Sequence, residues 1–261
     1  MRTNHEKGMG RYGMIHIKSR HEIEILRQSN RIVAQVLSHS KEIIKPGMTG
    51  RDLDRVAERM IHQMGGVPAF KGYRGYPANI CVSINERVVH GIPDSRAFVE
   101  GDIVSLDLGV VYEGYVGDAA ITVPVGTVDD ESNRLLAATE TALMKGIEQA
   151  REGNRLFDIS HAIQSHVEAK GFSVVRDFTG HGIGRQMHED PQIPNFGRPG
   201  TGDRLRPGMV LALEPMVNAG DWRVRVLSDQ WTVVTADGKR SAHFEHSIAI
   251  TDGQAEILSV L

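Results

Sequence analysis

A single cysteine, Cys81, stands in the 261 residues of the chain. No intrachain disulfide can form, so burial and hydrogen bonding must hold the fold, as suits a reducing compartment. No run of residues is apolar and long enough to span a bilayer. The opening MRTNHEKGMGRYG lacks the apolar core of a secretory signal, so a cytoplasmic protein is expected. An excess of one charge is also missing. The formal net charge is -3, which argues against general nucleic-acid binding. Low-complexity tracts and dividing linkers are lacking too. What remains, 40% hydrophobic and 24% charged residues, is ordinary globular composition.

Residues 1–13 are polar and glycine-rich, and a loose tail is expected there, with Met14 as an alternative start. Ser19 is a helix N-cap with Glu22 as its capping-box partner. Apolar residues at Ile23, Leu26, Ile32, Val33, Val36 and Leu37 keep helical spacing up to Pro46-Gly47. A second helix is predicted from about Thr49 to Met64. Strands rich in β-branched residues follow at 80–84, 88–89, 103–110 and 116–123. Helices over about 130–150 and 156–170 come next, and the remainder reads as strands and loops.

This order repeats. KPGMTGRDL and then VHGI in the first half answer REGNRLFDI and then GHGI in the second. The simplest reading is a duplication: two α/β halves packed together, sheets inside and helices outside, forming one domain over 14–261. The seam between such halves is a natural place for a pocket.

The segment DIVSLDLGVVYEGYVGDAAITV holds two β-patterned runs around Glu113-Gly114, a reasonable hairpin tip. With those two residues as the loop, Asp118 pairs with Gly109. With the loop shifted one residue back, Asp107 and Asp118 stand opposite. Either register puts both aspartates on one face, about 5–8 Å apart. Two buried anions cost several kcal/mol each without compensation. A cation, a shared proton or arginine partners could supply it. No arginine lies in the hairpin, so a metal is the leading local explanation. Further along, FTGHGIGRQMHEDP carries His181 and His188 among glycines that let the backbone turn sharply. Glu214 ends the apolar run MVLALEP, and Glu245 sits in the β-patterned AHFEHSIAIT. Two aspartates, two glutamates and one imidazole suit hard or borderline ions such as Mn(II), Fe(II), Co(II) or Zn(II). Two such ions would balance the four negative charges.

These residues, in this order, resemble the type I methionine aminopeptidases of the creatinase/aminopeptidase "pita-bread" superfamily, peptidase family M24. The resemblance spans nearly all of 14–261. It rests on CVSINERVVHGIP, SLDLG, VGDAA, TGHGIG, MHEDPQIPN, LALEP and FEHSIAIT. It implies the pita-bread fold, an α/β (α+β) arrangement of two pseudo-symmetric halves with an antiparallel sheet core inside and helices outside. It implies removal of the initiator methionine from nascent polypeptide N-termini with a small second residue. It further implies two divalent metal ions held by Asp107, Asp118, His181, Glu214 and Glu245, with Asp118 and Glu245 bridging and Glu214 also moving protons. His90 and His188 would contact substrate. Tyr73, Tyr76, Cys81 and Trp231 would line the methionine pocket. A monovalent cation near Asn85, Arg87 and Ser241, transient ribosome contact and a monomer are further expectations. Two departures stand out: Met187 replaces a phenylalanine of many relatives, and Gly109 stands where some carry threonine. A proline-specific peptidase of the same fold, or a non-catalytic binding module on it, is the rival reading. The first would usually carry an extra N-terminal domain, and the second would have lost ligands.

Overall fold

The computed structural model describes residues 14–261, so the expected tail over 1–13 lies outside the described residues. Each half opens with two helices and continues in strands. The first half runs α1 (Arg20–Ile43), α2 (Gly50–Gln63), β1 (Val67–Pro68), β2 (Cys81–Ile84), β3 (Arg87–Val89), β4 (Ile103–Tyr112) and β5 (Tyr115–Pro124). The second runs α3 (Asp130–Gln149), α4 (Leu156–Ala169), β6 (Ser173–Val174), β7 (Thr179–Gly182), β8 (Glu189–Pro194), β9 (Val210–Leu213) and β10 (Met216–Asn218). It ends with β11 (Val224–Val226), β12 (Val233–Thr235), β13 (Ser241–His243), β14 (Glu245–Ala249) and β15 (Glu256–Ile257).

The helices start where the sequence supplies caps. Ser19 and Glu22 exchange hydrogen bonds as a capping box. The repeated segments fold alike. Asp52 accepts from the Thr49 amide at 2.9 Å, and Asp158, at the same place in REGNRLFDI, accepts from the Arg155 amide at 2.7 Å. The preceding glycines match as well, with Gly47 at φ 90° and Gly153 at φ 86°. Thr49 bridges to Ala97 and Arg155 to Arg204. The duplication therefore extends to hydrogen bonds.

Nine strands form the central sheet in the order β1-β4-β5-β14-β9-β7-β8, with β2 also on β4 and β15 also on β14. All its pairings are antiparallel. Side chains alternate between its faces. On the helix side, Leu106 and Leu108 pack with Val33, Leu37, Leu53 and Ile61 of α1 and α2. Leu211 and Ile248 pack with Leu135, Leu143, Ile159 and Ile163 of α3 and α4. Two three-stranded sheets, β13-β10-β6 and β11-β12-β3, complete the structure.

One contact on the helix face fixes the site. A Cβ on Gly117 would lie 2.6 Å from the Asn30 amide nitrogen and 2.7 Å from the Ser29 carbonyl carbon, so α1 rests directly on β5. The Asn30 Oδ1 then accepts from the Asp118 amide at 3.2 Å. Gly117→Ala is expected to destabilise the protein by about 1–3 kcal/mol through overpacking. The check is a lower urea midpoint at unchanged slope; an unmoved midpoint would contradict this packing.

Candidate metal centre

Register alone brings the five candidate ligands to one face of the sheet. The hairpin takes Glu113 and Gly114 as its loop, with both residues at positive φ (47° and 79°), as a two-residue type I′ turn requires. Asp118 then pairs with Gly109, and Asp107 with Ala120. Glu245 pairs with the same Ala120 from the other side, so it shares their face. Ser247, two residues on, pairs with Ala212, and Ala212 pairs with His181. Glu214 lies two residues past Ala212, just beyond the end of β9. Five side chains, four from β4, β5, β14 and β7 and one from just past the end of the intervening β9, thus converge.

The ligand atoms of Asp118, His181 and Glu245 all lie within 4.8 Å of one another. Asp107 and Glu214 flank this trio in the same cavity. The His181 Nε2 stands 3.4 Å from Glu214 Oε1. The supports are rigid. Asn30 holds the Asp118 amide, and Ser247 Oγ donates to the Asp118 carbonyl at 2.8 Å. The His181 Nδ1 donates to the Gly182 carbonyl at 2.9 Å, which leaves Nε2 as a bare lone pair facing the carboxylates.

Four carboxyl groups packed this closely do not ionise readily by themselves. Burial raises Asp107 to about 7. Burial first, and then the charges of Asp107 and Glu214, holds Asp118 well above the usual carboxylate range. Glu214 and Glu245 are raised for the same reasons, burial first and their carboxylate neighbours second. Burial lowers His181 to about 4, helped by His188, so its ring is neutral at pH 7. Buried Asp107 Oδ1, Asp118 Oδ1 and Glu245 Oε1 have no hydrogen-bond partner among the described residues. Unsatisfied buried acceptors are costly. A divalent cation is the partner this set lacks: it would satisfy all three oxygens and reverse the cost of ionising the carboxyls. The residues present therefore fit a divalent metal, with oxygen donors and one imidazole.

The cavity next to these groups has a volume of about 310 Å³. Its apolar wall includes all four expected pocket residues, Tyr73, Tyr76, Cys81 and Trp231, together with Met187, already singled out as a departure, and Phe70, which the sequence reading omitted. Tyr76 packs edge-on against Trp231 with ring centres 5.1 Å apart. His90 and His188 open onto the cavity as expected. His90 takes φ 59°, a left-handed conformation that costs a non-glycine residue about 1–3 kcal/mol. The chain must turn there, because a Cβ on Gly91 would sit 2.3 Å from the Val82 carbonyl oxygen. Burial lowers His90 to about 4. The His188 ring stacks on Tyr73, whose hydroxyl lies 2.8 Å from His188 Nδ1.

The two departures from the family pattern meet here. A Cβ on Gly109 would be 2.8 Å from the Met187 Cε and 2.8 Å from the Phe70 Cε1. Glycine at 109 makes room for the unbranched methionine, so both changes belong to one packing arrangement.

His243, which stands in the same run as Glu245 and was given no role from the sequence, also lies beside these groups. It is 1% exposed, neither ring nitrogen has a hydrogen-bond partner among the described residues, and its Nε2 lies 4.0 Å from Glu214 Oε2. Its backbone is pinned by exchanged bonds with Thr122 Oγ1. No local signal marks it, since its neighbours arrive from distant strands. Away from the centre, the Ser241 amide donates to the Asn85 carbonyl at 2.8 Å, while Arg87 pairs with Asp94.

Comparison with known proteins gives a consistent result. Residues 24–252 match the family described as metallopeptidase family M24. A methionine aminopeptidase of Bacillus subtilis is 54% identical over 94% of this chain and 99% of its own length. One from Clostridium perfringens is 52% identical over 95% of this chain and all of its own. The crystal structure of a methionine aminopeptidase from Thermotoga maritima superposes with a TM-score of 0.94 at 51% identity, covering 95% of this chain and 100% of that one. A prolidase from Pyrococcus furiosus, 22% identical, shares the fold with a TM-score of 0.77, and the chain covers 65% of its length.

Proposed function

The chain belongs to the methionine aminopeptidases of metallopeptidase family M24, and from that premise we propose how its residues remove the N-terminal methionine of a protein. The observation that carries the reading is the convergence of Asp107, Asp118, His181, Glu214 and Glu245 on one sheet face around unsatisfied carboxylate oxygens. Divalent ions, two in number and of the Mn(II), Fe(II), Co(II) or Zn(II) kind, would be held there by these five side chains. Ions so bound would polarise the scissile carbonyl and ionise a water near neutral pH.

The remaining roles fall to the protein. The methionine side chain enters the wall of Phe70, Tyr73, Tyr76, Cys81, Met187 and Trp231. Glu214 takes the water's proton and returns it to the leaving amine. The Tyr73 hydroxyl donates to His188 Nδ1, which leaves His188 Nε2–H free to donate to the developing oxyanion. His188 is held neutral, by burial first and by Arg74 second. His90, oriented by its strained backbone and by the edges of Phe178 and Trp231, holds the scissile amide. His243 closes the far side of Glu214, its Nε2 4.0 Å from Glu214 Oε2. A crowded position past the scissile bond favours a small second residue.

A monovalent cation beside Asn85 and Ser241 is an accessory part of this reading. So are a monomeric, cytoplasmic enzyme and transient ribosome contact. No helix among the described residues is long and apolar enough to cross a membrane. A peptide panel tests the reading: Met-Ala-Ser is expected to lose its methionine and Xaa-Pro peptides to remain intact. Cleavage of Xaa-Pro with Met-Ala-Ser untouched would overturn it in favour of a proline-specific activity.

A further inference from the structure

The segment from Tyr76 to Cys81 is a wall one chain thick. On one side Tyr76 and Cys81 line the methionine cavity. On the other, Pro77 and Ala78 line a separate cavity of about 310 Å³, which also takes in Arg51, Asp54 and Arg55 of α2. A segment with a cavity on each face lacks close packing there, so directed bonds must hold it in place.

Those bonds come from α2. The Asn79 amide donates to Asp54 Oδ1 at 2.7 Å, and Asn79 Nδ2 donates to Asp54 Oδ2 at 3.0 Å. Asn79 is fully buried and its Oδ1 has no partner among the described residues, so Asp54 alone holds that side chain. The helix is a firm base. Leu53, Ala57 and Ile61 are 0% exposed. The Arg51 amide donates to the Asp94 carbonyl at 3.1 Å, and a Cβ on Gly50 would lie 3.1 Å from Pro93 Cα.

The clamp reaches the pocket within two residues. The carbonyl of Ile80, next after Asn79, lies 3.2 Å from the Tyr76 hydroxyl, which also reaches the Gly91 carbonyl at 2.9 Å. Cys81 follows and pairs with Asp107 in the sheet. Asn79 therefore sets where the Tyr76 ring and the Cys81 thiol stand relative to the metal ligands and the turn at His90.

We propose that Asp54 is a positioning residue for specificity: through Asn79 it fixes the shape of the methionine pocket without touching substrate. The proposal rests on the aminopeptidase reading above and deepens it. Apolar side chains of similar size are told apart by fit, typically by about 10–200-fold. A wall free to shift gives part of that up.

The test compares release from Met-Ala-Ser and Leu-Ala-Ser by the metal-loaded protein, with the Kd of free methionine measured by calorimetry. Asp54→Ala removes both bonds and suits a helix, since alanine is the best helix former. KM for Met-Ala-Ser and Kd for methionine are expected to rise about tenfold, with kcat within about threefold and metal content unchanged. The preference for Met-Ala-Ser in kcat/KM should fall by about tenfold. Asp54→Asn should stay within about threefold of the parent, because its oxygen still accepts from the Asn79 amide and its nitrogen can donate to Asn79 Oδ1 once that carboxamide turns over. Asn79→Ala, which loses one bond of the two, should move the same quantities by about threefold, and it carries the test if Asp54→Ala fails to fold. Unmoved preference and methionine affinity, whatever the change in Tm, would reduce Asp54 to a support of the fold and overturn the proposal. A loss in Asp54→Asn as large as in Asp54→Ala would also overturn it, by assigning the effect to charge. Both results leave the aminopeptidase reading intact; no methionine release by the parent protein would overturn that reading, and the proposal with it.

Discussion

Asp118→Asn and Glu245→Gln are each expected to reduce methionine release from Met-Ala-Ser by about a thousandfold or more, equivalent to at least about 4 kcal/mol of barrier. Both changes keep size and remove one negative charge. They alter no backbone support, because Asn30 and Ser247 grip the Asp118 main chain and not its carboxylate. Metal content should fall in parallel, since each carboxylate supplies one of the oxygens left without a partner. His181→Ala should behave alike, as it removes the one nitrogen donor within 4.8 Å of both carboxylates. Full turnover with undiminished metal in any one of them would remove that residue from the centre.

Metal removal should invert the pH dependence of stability above neutrality. In the metal-free protein the four central carboxyls keep protons that the unfolded chain has lost, because burial and their carboxylate neighbours raise their folded values, Asp107 to about 7 and the other three well above the ordinary carboxylate range. Their contribution is complete below the ordinary carboxylate range and is lost as pH rises through the folded values. Buried His90, His181 and His246 act the other way. Their values are lowered to about 4, so stability rises with pH from there to about 6.5, where the unfolded imidazoles become neutral. Above that point the carboxyls act, joined toward pH 8.5 by the buried Cys81 thiol, which burial also pushes up. Each pH unit there should cost about 1.4 kcal/mol for every proton the folded state still retains, about 2–4 °C in Tm. Divalent metal replaces the protons and should abolish the decline. Melting curves from pH 6.5 to 8.5, with and without Mn(II), check this; a flat metal-free profile would show that the carboxyls are ionised without a partner.

The sequence revealed most where the physics is local. The Ser19–Glu22 cap, all four long helices and the Glu113-Gly114 hairpin follow from spacing and turn chemistry, and all appear in the structure. The shared face of Asp107 and Asp118 followed from strand parity under either register, and the structure selected the pairing of Asp118 with Gly109. Parity could not place His181, Glu214 or Glu245 beside them. Their position depends on β14 lying between β9 and β5, the latter more than a hundred residues away in the chain, and no local rule sets that pairing. The family resemblance supplied that convergence. It did not supply Phe70, His243 or the fit between Gly109 and Met187, which are properties of packing in this chain.

The most direct measurement is titration of metal-stripped protein with Mn(II) or Co(II), recording bound metal and methionine release together. The expected result is no release from stripped protein, then release that grows as ions bind, with two held per chain at saturation. Undiminished release from protein free of divalent metal, or a stripped protein that takes up none, would contradict the account.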